Sequence, residues 1–193
     1  MENDKVNPFE EKELLLNLQG GDKTAFKQFF NRYQQLVYNV CYRMSDSRED
    51  AEDITQDVFI KAFQSIANFR GDAKLSTWLY RIAVNTCLKY QNRKKLNRLV
   101  SLDFLLKEEE KHNSVFYSEA PDQKIEISET AQIVRSVIQK LSARQQTAVV
   151  LHRYENLSYE EIARIMEISI PAVESLLHRA KENLVEKLKK ILS

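Results

Sequence analysis

Apolar positions recur at helical intervals along almost the whole chain. Between Thr24 and Asn97, Phe26, Phe29, Phe30, Tyr33, Leu36, Val37 and Val40 form one stripe, and Ala51, Ile54, Val58, Phe59, Ala62 and Phe63 form the next. Spacings of three and four residues put each set on one helix face, so each stripe can bury against the other. A second group, Ile133, Val137, Leu141, Ala148, Val149, Leu151, Ile162, Ile165, Val173, Leu177, Leu184 and Leu188, fills the C-terminal third in the same way. Between them, from Leu99 to Ile127, the stripe lapses into an EEE run, KHNS, and EAPD with Pro121. That composition predicts a flexible linker with one short helix near Leu102 to Lys111. The expected fold is all-α: two small helical domains, residues 17–98 and 128–190, joined by a linker over 99–127.

Two segments carry more than periodicity. Leu157 to Lys181 has the grammar of a helix-turn-helix: Ser158 and Glu161 form a capping box, and Ile162, Ala163, Ile165 and Met166 give the first helix its inner face. A turn over Met166 to Ser169 follows, with Ser169 placed to cap a second helix and Pro171 in its first turn, where a missing N–H costs nothing. That second helix would present Pro171, Ala172, Ser175, His178 and Arg179 outward, in the manner of a helix entering a major groove. Upstream, Ser76 to Arg98 splits into a burying face (Leu79, Ile82, Ala83, Thr86, Tyr90) and an outward one (Trp78, Arg81, Asn85, Lys89, Arg93). An aromatic, an amide and three cations on one face suit unpaired bases and phosphates better than an intact duplex. Just before this helix, Phe69 to Leu75 supplies Gly71 at the expected end of the preceding helix, a loop able to wall a base pocket.

Charge sharpens this picture. The chain of 193 residues carries 29 basic and 28 acidic side chains, a net charge of +1, yet the two signs are sorted. Met1 to Ala73 has nine basic and thirteen acidic residues, Lys74 to Arg98 seven and none, Leu99 to Ala131 three and eight, Gln132 to Ser193 ten and seven. A basic block between acidic ones is the footprint of a polyanion site. Three glycines and three prolines are too few for an all-β chain. Cys41 and Cys87 lie in apolar helical patterns without a CxxC, which predicts buried free thiols. No window reaches the ~18 apolar residues of a membrane span and the N-terminus lacks a signal-peptide core, so no membrane insertion and a cytoplasmic location are expected. His112, His152 and His178 are scattered, and no metal motif, P-loop, GxGxxG or nucleophile elbow appears. The expectation is a non-enzyme with no catalytic residues, no metal and no cofactor.

DAEDITQDVFIKAF (Asp50 to Phe63), FRGDAKLSTWLYRIAVNTCLKYQNRKK (Phe69 to Lys95) and LSYEEIARIMEISIPAVESLLHRAK together resemble the extracytoplasmic-function sigma factors, the small two-domain initiation factors of bacterial RNA polymerase. The likeness covers about Asn17 to Leu188. It implies that the first domain is sigma region 2 and the second sigma region 4. Core RNA polymerase and promoter DNA, duplex and melted, would be the partners, with an anti-sigma factor such as many relatives have. By resemblance, Asp53, Gln56 and Asp57 would meet the polymerase clamp helices. Gly71, Ser76, Thr77, Trp78 and Asn85 would receive a flipped minus-ten base, and Arg81, Lys89, Arg93 and Lys94 would hold the backbone. Pro171, Ala172, Ser175, His178, Arg179 and Lys181 would read the minus-thirty-five element. Glu174 and Leu176 stand where many relatives have Lys and Arg, and Glu167 replaces the usual turn glycine.

A different class, a stand-alone helix-turn-helix regulator of duplex operators, also explains the C-terminal third. It leaves the basic, aromatic face of Ser76 to Arg98 without a role. Two-fold footprints on operator DNA would favour it, whereas dependence on core polymerase favours the sigma reading.

Overall fold

The structure, a computed structural model, describes residues 8–105 and 129–192. Every regular element among them is helical: α1 (Pro8–Gln19), α2 (Lys23–Met44), α3 (Arg48–Ser65), a 3-10 turn (Ile66–Asn68), α4 (Leu75–Leu105), α5 (Glu129–Gln139), α6 (Ala143–Arg153), α7 (Tyr159–Met166) and α8 (Ile170–Leu192). Local chemistry sets the starts. The Asp22 carboxylate accepts from the Thr24 N–H at 2.7 Å ahead of α2, and the Ser47 hydroxyl accepts from Asp50 N–H ahead of α3. Glu49 and Asp50 in the first turn of α3 then face the positive end of its dipole. Ser142 with Gln145 and Ser158 with Glu161 form reciprocal capping boxes on α6 and α7.

The N-terminal unit closes around Phe29, Val37, Val40 and Met44 of α2, Ala51, Ile54 and Val58 of α3, and Leu75, Leu79 and Ala83 of α4, all essentially free of solvent. Burial of each large apolar side chain contributes ~1.5–3 kcal/mol. Cys41 and Cys87 are buried free thiols, as expected, and meet across α2 and α4 with their sulfurs 3.9 Å apart. In the C-terminal unit Val137, Leu151, Ile162, Ile165 and Val173 fill the space between α5 and α8.

Three sequence expectations need correction. Phe30 and Phe63 are not inside the core: they are 36% and 56% exposed, Phe30 tilted against Phe59 and Phe63 edge-on to Phe26. The helix expected over Ser76 to Arg98 runs on to Leu105, because neither Gly nor Pro interrupts the chain there. Residues 99–105, the start of the expected linker and of its short helix, therefore belong to α4, and residues 106–127 lie outside the described residues. Finally, α4 has a third face. Tyr80, Val84 and Gln91 are turned towards the C-terminal unit, and Val150, Leu151, Ile162, Ala163, Ile165 and Val173 join one apolar cluster with the residues of α1 to α4.

Candidate nucleic-acid interface

The residues expected to bind single strands are strung out from the loop before α4, at Gly71, to Lys94 well along that helix. Gly71 sits in the loop before it at φ +72°, a left-handed backbone that glycine adopts without strain. Trp78 is half-buried rather than free, its indole tilted against the Phe69 ring with centroids 5.0 Å apart. Ser76 is half-buried, and Thr77 is buried with 8% exposure, which turns its side chain away from any ligand. Further along, Asn85, Lys89 and Arg93 are exposed at four-residue intervals and make one edge of amide and cations.

Two cations of the basic block are already engaged within the chain. Lys94 lies 2.9 Å from Asp50 and 3.0 Å from Asp46. Asp50 also accepts the Tyr90 hydroxyl at 2.5 Å. Burial alone would raise the Asp50 carboxyl, but the hydrogen bonds from Tyr90 and Lys94 outweigh it and hold the group below the usual carboxylate range. Arg81 donates to the Arg164 carbonyl at 2.9 Å and pairs with Glu167 at 3.3 Å, so the C-terminal unit occupies it.

Asp53, Gln56 and Asp57 are exposed on α3. They share a cleft of about 400 Å³ with Ile60, Lys89 and Arg93, so the acidic face and the cationic edge adjoin across the α3–α4 groove. Ile60 at 54% and Phe63 at 56% exposure add apolar surface to that face, which sequence reading had assigned to the core in the case of Phe63.

In the helix-turn-helix, Glu167 occupies the left-handed turn position at φ 54°, ψ 46°, and its N–H returns to the Ala163 carbonyl. Ser169 stands just ahead of α8, its carbonyl accepting from Ala172 and Val173. Pro171, Ser175, His178, Arg179 and Lys181 are exposed on α8, and Ala172 is half-buried. The His178 ring is 3.9 Å from Glu182 on the same exposed face. His112 lies outside the described residues, and no cluster of potential metal ligands occurs among those described.

Contacts between the two units escaped sequence reading. Tyr80 donates to Glu155 at 2.8 Å. Gln91, itself tied to the Met44 carbonyl of its own unit at 2.6 Å, donates to Gln146 at 3.0 Å, while Gln146 donates to the Arg43 carbonyl at 3.0 Å. The Arg135 guanidinium lies 3.8 Å over the Tyr42 ring and also bonds its hydroxyl. The helix α1 was likewise missed.

The sigma-70 region 2 family matches residues 29–96 and the sigma-70 region 4 family residues 131–184. The chain is 37% identical over 185 residues to the ECF RNA polymerase sigma-E factor of Haemophilus influenzae, covering 93% of this chain and 95% of that protein. It is 32% identical to the RNA polymerase sigma-H factor of Pseudomonas aeruginosa over 95% of this chain and 96% of that one. Among solved structures it is similar to the sigma factor RpoE in complex with the anti-sigma factor NepR from Bartonella quintana, with a TM-score of 0.63, 27% identity, and coverage of 85% of this chain and 96% of that chain.

Proposed function

The chain belongs to the extracytoplasmic-function sigma factors, which direct core RNA polymerase to promoters, and we propose that its own α3, α4 and α8 divide that task. In this reading Asp53, Gln56 and Asp57 on α3 dock on polymerase. Asn85, Lys89 and Arg93, on the exposed edge of α4, hold the melted minus-ten strand. Ser175, His178, Arg179 and Lys181 on α8 meet the minus-thirty-five duplex. Bond-making stays with polymerase, so the protein supplies recognition and strand separation in the cytoplasm and is itself no enzyme. An anti-sigma factor is the expected regulator, by analogy with the complex of the Bartonella quintana relative.

The observation that carries this reading is the exposed edge of Asn85, Lys89 and Arg93 along α4. A flipped base there would find the asparagine amide, which both donates and accepts, with phosphates reaching the two cations. A stacked duplex hides the base faces such an edge would use. Asn85→Ala should therefore slow open-complex formation with little change in the closed complex, and a pre-melted bubble template should restore most of the rate. Permanganate footprinting of unpaired thymines on both templates, with purified core polymerase, measures this. Equal loss on duplex and bubble would assign Asn85 to general DNA affinity.

A further inference from the structure

The helix α1 has no part in the division of labour above, yet one of its stripes runs the length of the loop before α4. Leu14 and Leu18 are buried and anchor α1 on the core. The neighbouring stripe of Glu11, Leu15 and Gln19, spaced by four residues, is half-buried and faces residues 69–75. Glu11 accepts the Leu75 N–H at 2.7 Å, satisfying a free donor in the first turn of α4. Gln19 donates to the Phe69 carbonyl at 2.6 Å, at the other end of the loop. In the middle, a Cβ at Gly71 would lie 3.3 Å from the Leu15 side chain, so methyl and backbone are already in close contact.

The loop is thus held at its start, its left-handed glycine and its end by three residues of one helix face. Within the loop itself, the Phe69 N–H bonds back to Ile66, and the Lys74 carbonyl accepts from Trp78. No hydrogen bond internal to the loop fixes residues 70–73 among those described. Their conformation depends on α1. Between α1 and the loop lies a cleft of about 630 Å³, with Lys12, Arg70 and Lys74 among its walls.

We propose that Glu11 and Gln19 are positioning residues that set the shape of the Gly71 loop and thereby its choice of base in the melted strand. This rests on the assignment of that loop to the minus-ten base. A pocket that discriminates between bases must hold its walls to a fraction of an ångström. A loop without internal bonds acquires that precision from the element clamping it.

The test uses holoenzyme and single-stranded oligonucleotides of the minus-ten sequence carrying each of the four bases at the flipped position, read by fluorescence anisotropy. Wild type should prefer one base. Glu11→Ala with Gln19→Ala should reduce that preference by about tenfold, ~1.4 kcal/mol in differential binding, with core affinity and minus-thirty-five duplex binding unchanged. Glu11→Gln keeps a carbonyl acceptor for Leu75 and should retain the preference. Should the double variant lose helical circular dichroism, Gln19→Ala alone carries the same comparison. An unchanged preference in folded variants overturns the proposal and leaves α1 a packing element. No base preference in wild type overturns the assignment of the loop, and the proposal falls with it.

Discussion

Asp50 shows how one side chain serves two neighbours. It accepts from Tyr90 and Lys94, tying the first turn of α3 to the middle of α4. Its carboxyl is held below the usual range, so the tie is complete above the ordinary carboxylate pKa of ~4 and is lost as pH falls through the lowered value. Asp50→Asn should cost roughly 1 kcal/mol at neutral pH, since the partly exposed pair is screened by solvent. The difference in thermal midpoint between variant and wild type should narrow as pH falls below about 4 and close once it has passed through the lowered value. The same change leaves Lys94 on Asp46 alone and freer to meet phosphate. These partners were not legible beforehand: a run of seven cations reads as one surface, and only the fold shows which of them meet carboxylates from another helix.

The helix-turn-helix elements were the most legible. Their capping residues and apolar stripes lie within a few positions of one another, and the structure has both the Ser158–Glu161 box and the turn at Glu167. By contrast, α1 carries three consecutive leucines, Leu14 to Leu16, which blur its period, and only Leu14 of the three is buried. The third face of α4 was hidden for a similar reason: periodicity shows that Tyr80 and Val84 can pack without showing against what. On α8, Arg179 is exposed beside Ser175 and His178. Arg179→Ala should weaken binding to the minus-thirty-five duplex by ~1–3 kcal/mol if the guanidinium meets a base edge, or lower the salt slope by about one if it meets phosphate. A salt titration of duplex binding separates the two, and unchanged affinity at every salt concentration contradicts both.

At the scale of the molecule, the two units are closed upon each other. Promoter elements about 25 base pairs apart are separated by ~85 Å along the duplex, whereas a folded chain of 193 residues has a radius of gyration of ~16 Å. Simultaneous engagement of both elements requires the units to part. Arg135→Ala, which removes the stacking on Tyr42 and its hydrogen bonds, should favour the open form by ~1–2 kcal/mol. Energy transfer between dyes on α2 and α8 of the free protein reports the change. Closure should also depend on pH. Burial raises the Glu155 carboxyl, and the Tyr80 hydrogen bond and the Arg43 charge only partly reverse it. The protonated form is the one favoured by enclosure, so closure strengthens as pH falls through that raised value and weakens as pH rises. Glu155→Gln should flatten this dependence. The turn at Glu167 joins the two levels. A non-glycine residue at positive φ costs ~1 kcal/mol, so Glu167→Gly is the substitution a designer seeking a hardier helix-turn-helix would try first. It would also remove the carboxylate that holds Arg81. The hardier protein would then hold its two units together by one contact fewer, Arg81 keeping only the Arg164 carbonyl: the strain in one unit's turn is the cost of a tether to the other.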